Sequence, residues 1–198
     1  MKTIFATLLL SIALLGSTQA SAQWTLDSNS AALNFLSTKV LINKQSITEV
    51  SGFNTLSGTV SDDGEFMLMV QLESVNTQVP IRDQRLRDWV FQVEKYSRVE
   101  ISGQISKLEL KDLAIGKPKG ITQALILKTH GKVLTLKAEL QLVKSADGAL
   151  HVSTLTPILL DIKQLDMNLG VEKLIEVMGL ASINQQIPIT FYGTFIER

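Results

Sequence analysis

The sequence predicts an all-β fold, an antiparallel β-barrel of about eight strands with two short helices set between strands. Three observations carry this. Apolar and polar residues alternate with period two along several stretches. Turn sequences, Thr129-His130-Gly131-Lys132 and Ala146-Asp147-Gly148, join such stretches as hairpins. The chain of 198 residues has no cysteine, so packing alone must hold it, and a hydrophobic content of 45% supplies the core.

The elements follow in chain order. Residues 1–22 are expected to be a signal peptide: Lys2 opens it, residues 4–15 are apolar except Thr7 and Ser11, and Ala20-Ser21-Ala22 is an A-x-A cleavage site. That run is shorter than the ~20 residues a bilayer span requires. No later segment is as continuously apolar. The expectation is one exported domain, 23–198, periplasmic or secreted, with no transmembrane anchor. Residues 33–40 carry apolar side chains on both parities, as in a strand covered on more than one side. From Glu65 the pattern sharpens: Phe66, Leu68, Val70 and Leu72 share the inner face. Val99, Ile101 and Ile105 continue it, and Gly103 with the parity switch to Leu108 and Leu110 predicts a bulge or bend. Ile121, Leu125 and Leu127 lead into the first hairpin. Leu134, Leu136, Ala138, Leu140 and Leu142 then face inward against Thr135, Lys137, Glu139 and Gln141. The last strand sets Ile187, Ile189, Phe191 and Phe195 on one face. Helical spacing appears twice, over 84–91 with Asp83 as N-cap and over 171–178 with Gly179 as its stop. The polar outer face, with Lys137, Glu139, Gln141, Glu65 and Glu73, argues against a membrane barrel, whose outside is an apolar band.

Composition narrows the function. Lys and Arg number 19 against 19 Asp and Glu, so no basic field exists to hold nucleic acid. Without cysteine there is no thiolate metal site, cysteine nucleophile or lipidated N-terminal cysteine. His130 sits in a turn, where solvent is expected, and His151 points outward, so no metal site is expected. No G-x-S-x-G, H-E-x-x-H or glycine-rich phosphate loop occurs, and the expectation is a protein that is not an enzyme and uses no cofactor. Phe35, Phe53, Phe66, Trp89, Phe91, Phe191 and Phe195 supply apolar bulk to line a lumen. Ala31, Ala32, Gly52, Gly58, Ala138 and Gly193 sit among large residues and leave space. The same residues also suit an ordinary filled core, so an open barrel and a filled structural or interaction module both stand at this point. Ser74 and Thr77 fit hydrogen bonding of irregular backbone. Arg82 and Arg85 are the cations placed for a ligand headgroup; for Arg82 the structural alternative is pairing with a carboxylate or carbonyl.

A family resemblance adds to this reading. Trp24-x-Leu26-Asp27, Gly52-Phe53, Leu56-Ser57-Gly58, Ser74-Val75-Asn76-Thr77, Arg82-Asp83-x-x-Leu86-Arg87 and Phe91-x-Val93-Glu94-Lys95-Tyr96 together resemble the YceI-like family. Leu169-Gly170 before the second helix also fits. The resemblance implies a lipocalin-like barrel that holds a polyisoprenoid or similar lipid in its lumen. It further implies an exported, often homodimeric protein without established catalysis. The chain departs from the family where a histidine is usual: Ser37-Thr38-Lys39-Val40 stands before Gly52-Phe53, and Arg85 replaces a histidine in Arg-Asp-x-His-Leu.

Overall fold

The computed structural model describes residues 22–197, so the expected signal peptide, Ala22 excepted, lies outside the described residues. Thirteen strands form one antiparallel sheet. They are pieces of eight long strands that follow one another around a ring in chain order, five of them broken once. The first joins β1 (Ala22–Leu26) to β2 (Ala32–Leu41), the second β3 (Ser46–Phe53) to β4 (Leu56–Ser61), and the third β5 (Glu65–Gln71) to β6 (Val75–Asn76). Unbroken β7 (Arg98–Gln104), β8 (Lys119–Thr129) and β9 (Lys132–Lys144) come next. The seventh joins β10 (Leu150–Thr154) to β11 (Ile158–Asp161), and the eighth β12 (Leu180–Ile183) to β13 (Gln186–Glu197). The ring closes where Trp24 of β1 pairs with Glu197 of β13. The expected eight-stranded antiparallel barrel is therefore what the chain forms.

The breaks divide the barrel into two levels. At one level β1, β4, β5, β7, β8, β9, β10 and the end of β13 make a complete ring. Beyond it β2, β3, β6, β11, β12 and the start of β13 continue as a trough. One side chain couples two breaks: the Ser74 hydroxyl donates to the Gln71 carbonyl at 2.7 Å and accepts from the Thr55 N–H at 3.0 Å. The backbone-bonding role read for Ser74 is what the structure shows. His130 and Gly131, both at positive φ (49° and 67°), form the two-residue hairpin between β8 and β9, the primed turn that matches strand twist.

Three helices cover the openings. α1 (Pro80–Arg85) runs into a π-helical turn at Leu86–Phe91 and ends at Gln92 in the left-handed region. It starts earlier than the sequence predicts, because Asp83 does not cap it through Leu86. The Asp83 carboxylate instead reaches back to accept from the Thr77 N–H at 2.8 Å and the Thr77 hydroxyl at 2.5 Å, and Pro80 occupies the first turn. α2 (Lys107–Lys111) was not expected from the alternation of Leu108 and Leu110. Five residues are too few for a period to decide between strand and helix. Here Leu110 turns into the ring core and Leu108 into solvent. Gly103 stays in register opposite Phe66 without a bulge; the Phe66 ring fills the space its side chain would take. α3 (Asn168–Met178) matches the second predicted helix and stops at Gly179 in the left-handed region. Its Gly170 lies against the chain at Trp89: a Cβ there would stand 2.1 Å from the Trp89 carbonyl oxygen.

Candidate functional site

The barrel interior is filled at one end and hollow toward the other. Leu142 and Leu150, with no exposure, pack with Trp24, Leu110 and Leu113 to close the ring level. Above them is a void of about 90 Å³ inside the ring. Above that is a second void of about 190 Å³ between the trough and the two longer helices. The larger has room for roughly a dozen waters, yet its walls are almost wholly apolar. Leu33, Ile101, Leu127 and Ile189 line both voids, so the two meet at these side chains.

Each wall follows from strand parity. On β2 the inward row runs Leu33, Phe35, Ser37, Lys39; on β3 it runs Phe53, Ser51, Glu49. The lining thus passes from apolar to charged along two paired strands. From the roof, α1 and its π turn contribute Arg82, Leu86, Val90 and Phe91, and α3 contributes Val171, Leu174 and Met178. Phe35 and Phe53 rings lie 5.6 Å apart and Phe53 and Phe91 5.8 Å, both tilted, so three aromatics run across the larger void.

Its polar end is an ion cluster. Lys39 Nζ and Arg82 Nη1 each donate to Glu49 Oε2 at 2.7 Å, and Arg82 Nη2 donates to the Thr77 carbonyl at 2.8 Å. The bonded Lys39 ammonium, with help from Arg82 and against partial burial, holds the Glu49 carboxyl below its usual range. Two cations share one carboxylate, which leaves the cluster with one net positive charge. Arg82 Nε is buried and has no protein partner. Charged groups at the end of an apolar channel suit an amphiphile whose polar end stays there.

The sequence-predicted residues divide by place. Phe35, Phe53 and Phe91 line the larger void; Phe66, Phe191 and Phe195 line the smaller. Ala138, 1% exposed, is packed in the ring core and lines neither. Trp89 also lines neither; Arg85 and Lys173 stand over its ring at 5.6 and 4.2 Å from the centroid. Arg82 reaches the larger void and Arg85 does not. Lys39 and Glu49 belong to the polar end and were not singled out in the sequence. Nothing local marks them, since their partner Arg82 lies 33 residues beyond Glu49.

His130 is the other residue whose place differs from expectation. It is 7% exposed, stacked on Tyr96 at 4.3 Å, with Nε2 2.8 Å from the Phe91 carbonyl. Burial lowers its pKa, only partly offset by that bond and by Asp166. The hairpin thereby anchors the end of the helix that presents Phe91 to the void. His151 lies outward, as expected, bonded to Thr194 Oγ1 at 3.0 Å. Among the described residues no group of three His, Cys, Asp or Glu is placed to hold a metal, and no helix is long and apolar enough to cross a membrane.

Comparison with known proteins places this architecture. Residues 24–195 match the family described as YceI-like domain. The solved structure of a polyisoprenoid binding domain from Saccharophagus degradans, implicated in plant cell wall breakdown, matches with TM-score 0.84 and 25% identity, over 90% of this chain and 100% of that one. Burkholderia cenocepacia BcnA matches with TM-score 0.64 and 12% identity, over 85% of this chain and 98% of that one, a likeness of fold alone. No curated protein matches the chain.

Proposed function

The chain belongs to the YceI-like domain family, and we propose that it binds one long apolar chain, a polyisoprenoid or similar lipid, inside the barrel. The observation that carries this is the pair of adjoining apolar voids with a charged cluster at one end. The Saccharophagus degradans domain, described as polyisoprenoid binding, supports it. Each CH₂ withdrawn from water is worth ~0.8 kcal/mol, so an apolar lumen carries such a ligand through water without any catalytic group. The ligand's polar end rests at Lys39, Glu49 and Arg82, where the net positive charge favours an acceptor or anion. The protein acts as a binder or carrier, not a catalyst. Exported by the signal peptide over 1–22, the mature domain works in the periplasm or outside the cell.

The test is native mass spectrometry of gently purified mature protein, followed by lipid extraction. A copurified long-chain lipid, one per protein, is the expected result. Protein that carries no lipid and takes up no long-chain alcohol when offered would refute the reading. The same spectrum reports the mature N-terminus, expected at Gln23.

A further inference from the structure

The lumen is not one uniform tube. Four branched aliphatic side chains stand where its two voids meet. Ile101 and Leu127 are direct cross-strand partners on β7 and β8, the fourth and fifth long strands. Leu33 and Ile189 come from the first and eighth, which also neighbour each other. In a ring of eight these two pairs lie on opposite sides, so they face each other across the lumen as a neck.

The chambers on the two sides of the neck differ in chemistry. The upper one holds the charged cluster. The lower one has Thr154 as its polar lining residue, and that hydroxyl is engaged by Phe191, accepting from its N–H at 3.2 Å and donating to its carbonyl at 3.4 Å. The lower chamber therefore offers nothing to a polar group. It also has a floor, since Leu142, Leu150 and Trp24 are packed beneath it. A ligand held by its polar end above can place only its apolar terminus below, and only as far as that floor.

We propose that the neck of Leu33, Ile101, Leu127 and Ile189, with the blind chamber beneath it, sets which chain lengths this protein prefers. This rests on the reading of the lumen as a lipid site and assigns it a length-selecting part. A chain short enough to stay above the neck fills the upper chamber alone. A longer one passes between the two aliphatic pairs, which rotate aside, and gains further burial until it meets the floor. Each methylene buried raises affinity about fourfold. The dependence of affinity on chain length therefore continues past the neck and stops at the floor.

The experiment measures affinity for saturated straight-chain alcohols from octanol to octadecanol, by displacement of a fluorescent apolar dye from the mature protein. Val152 lines the lower chamber and not the upper. Val152→Phe fills the lower chamber and Ile189→Phe obstructs the neck. Val152→Phe is expected to bind the shorter alcohols within about twofold of the unsubstituted protein and to lose the gain for longer ones; Ile189→Phe, at a residue that also lines the upper chamber, is expected to weaken every length and to lose the gain for longer ones. The loss should approach fourfold for each methylene past the neck. The proposal is overturned if both variants keep the unsubstituted length profile, or if the unsubstituted protein stops gaining at the same length as they do. A protein that binds no alcohol of any length instead refutes the lipid reading itself, and the length selection with it. Circular dichroism identifies a variant that fails to fold, and the other variant then decides the matter.

Discussion

Gly170→Ala tests how closely the two roofing helices must cross. The new methyl would lie 2.1 Å from the Trp89 carbonyl oxygen, 2.6 Å from its carbonyl carbon and 2.7 Å from the Val90 Cα. All three are backbone atoms, so no side chain can swing away; α3 or the π turn must shift. Overpacking of this kind costs about 1–3 kcal/mol, and the rigid contacts place this site at the upper end. Against it stands the better helix propensity of alanine, about 1 kcal/mol. The net expectation is a loss of about 1–2 kcal/mol, or roughly 2–8 °C in Tm for a domain of this size. Differential scanning calorimetry of the mature chain reads it. The larger void should change too, because Val90 and Val171 both line it, so lipid uptake should fall alongside Tm. An unchanged or raised Tm would show that propensity outweighs contact and would refute the close-crossing argument.

Arg82→Ala removes one cation from Glu49 and one donor from the Thr77 carbonyl; the expected loss is about 1–2 kcal/mol in urea titration, the contacts being only partly shielded from water. If Arg82 serves the ligand as well, the distribution of copurified lipids changes in the same variant. Ala138→Trp should destabilise by at least about 1–3 kcal/mol, because the methyl is packed in the core and not beside either void; a thermal melt unaltered by that substitution would mean the ring is looser than its burial indicates. For pH, the burial-lowered pKa of His130 means the unfolded chain takes up a proton before the folded one does. Its stabilising effect is full above the ordinary value of about 6.5 and is lost as pH falls toward the lowered folded value. Urea midpoints should fall between pH 7.5 and 5.5, less steeply in His130→Gln; equal slopes in the two proteins would count against this assignment.

Strands exposed on one side were legible because water and core impose opposite residues on alternating positions; β9 shows this from Leu134 to Leu142. The second helix was legible from the spacing of Val171, Leu174, Ile175 and Met178 and from Gly179. What remained hidden depended on partners distant in sequence. Lys39 and Glu49 share the inward parity of two strands with Leu33, Phe35 and Phe53, and nothing marks their role until the hairpin and α1 bring Arg82 to them. His130 occupies a turn, a position that usually faces water, but Tyr96 and the helix end 39 residues earlier cover it. Phe35, Phe53, Phe66, Phe91, Phe191 and Phe195 all reach the voids because bulky apolar residues must face inward in a small barrel. The same rule does not distinguish a wall from a packed floor, and that is why Ala138 reads the same as its neighbours.

The chain-order arrangement of the long strands also bears on how the molecule comes together. Seven of the eight junctions around the ring join consecutive long strands, and only the seam of β13 with β1 and β2 unites the two ends of the chain. Junctions between consecutive strands close shorter loops than the seam does, so they cost less chain entropy to form. The seam must wait until the last dozen residues are free. Until then the first and seventh long strands each present a bare hydrogen-bonding edge, the kind of surface on which chains aggregate. The final strand is therefore both latch and shield, because β13 covers β1 and β2 on one side and β10 and β11 on the other.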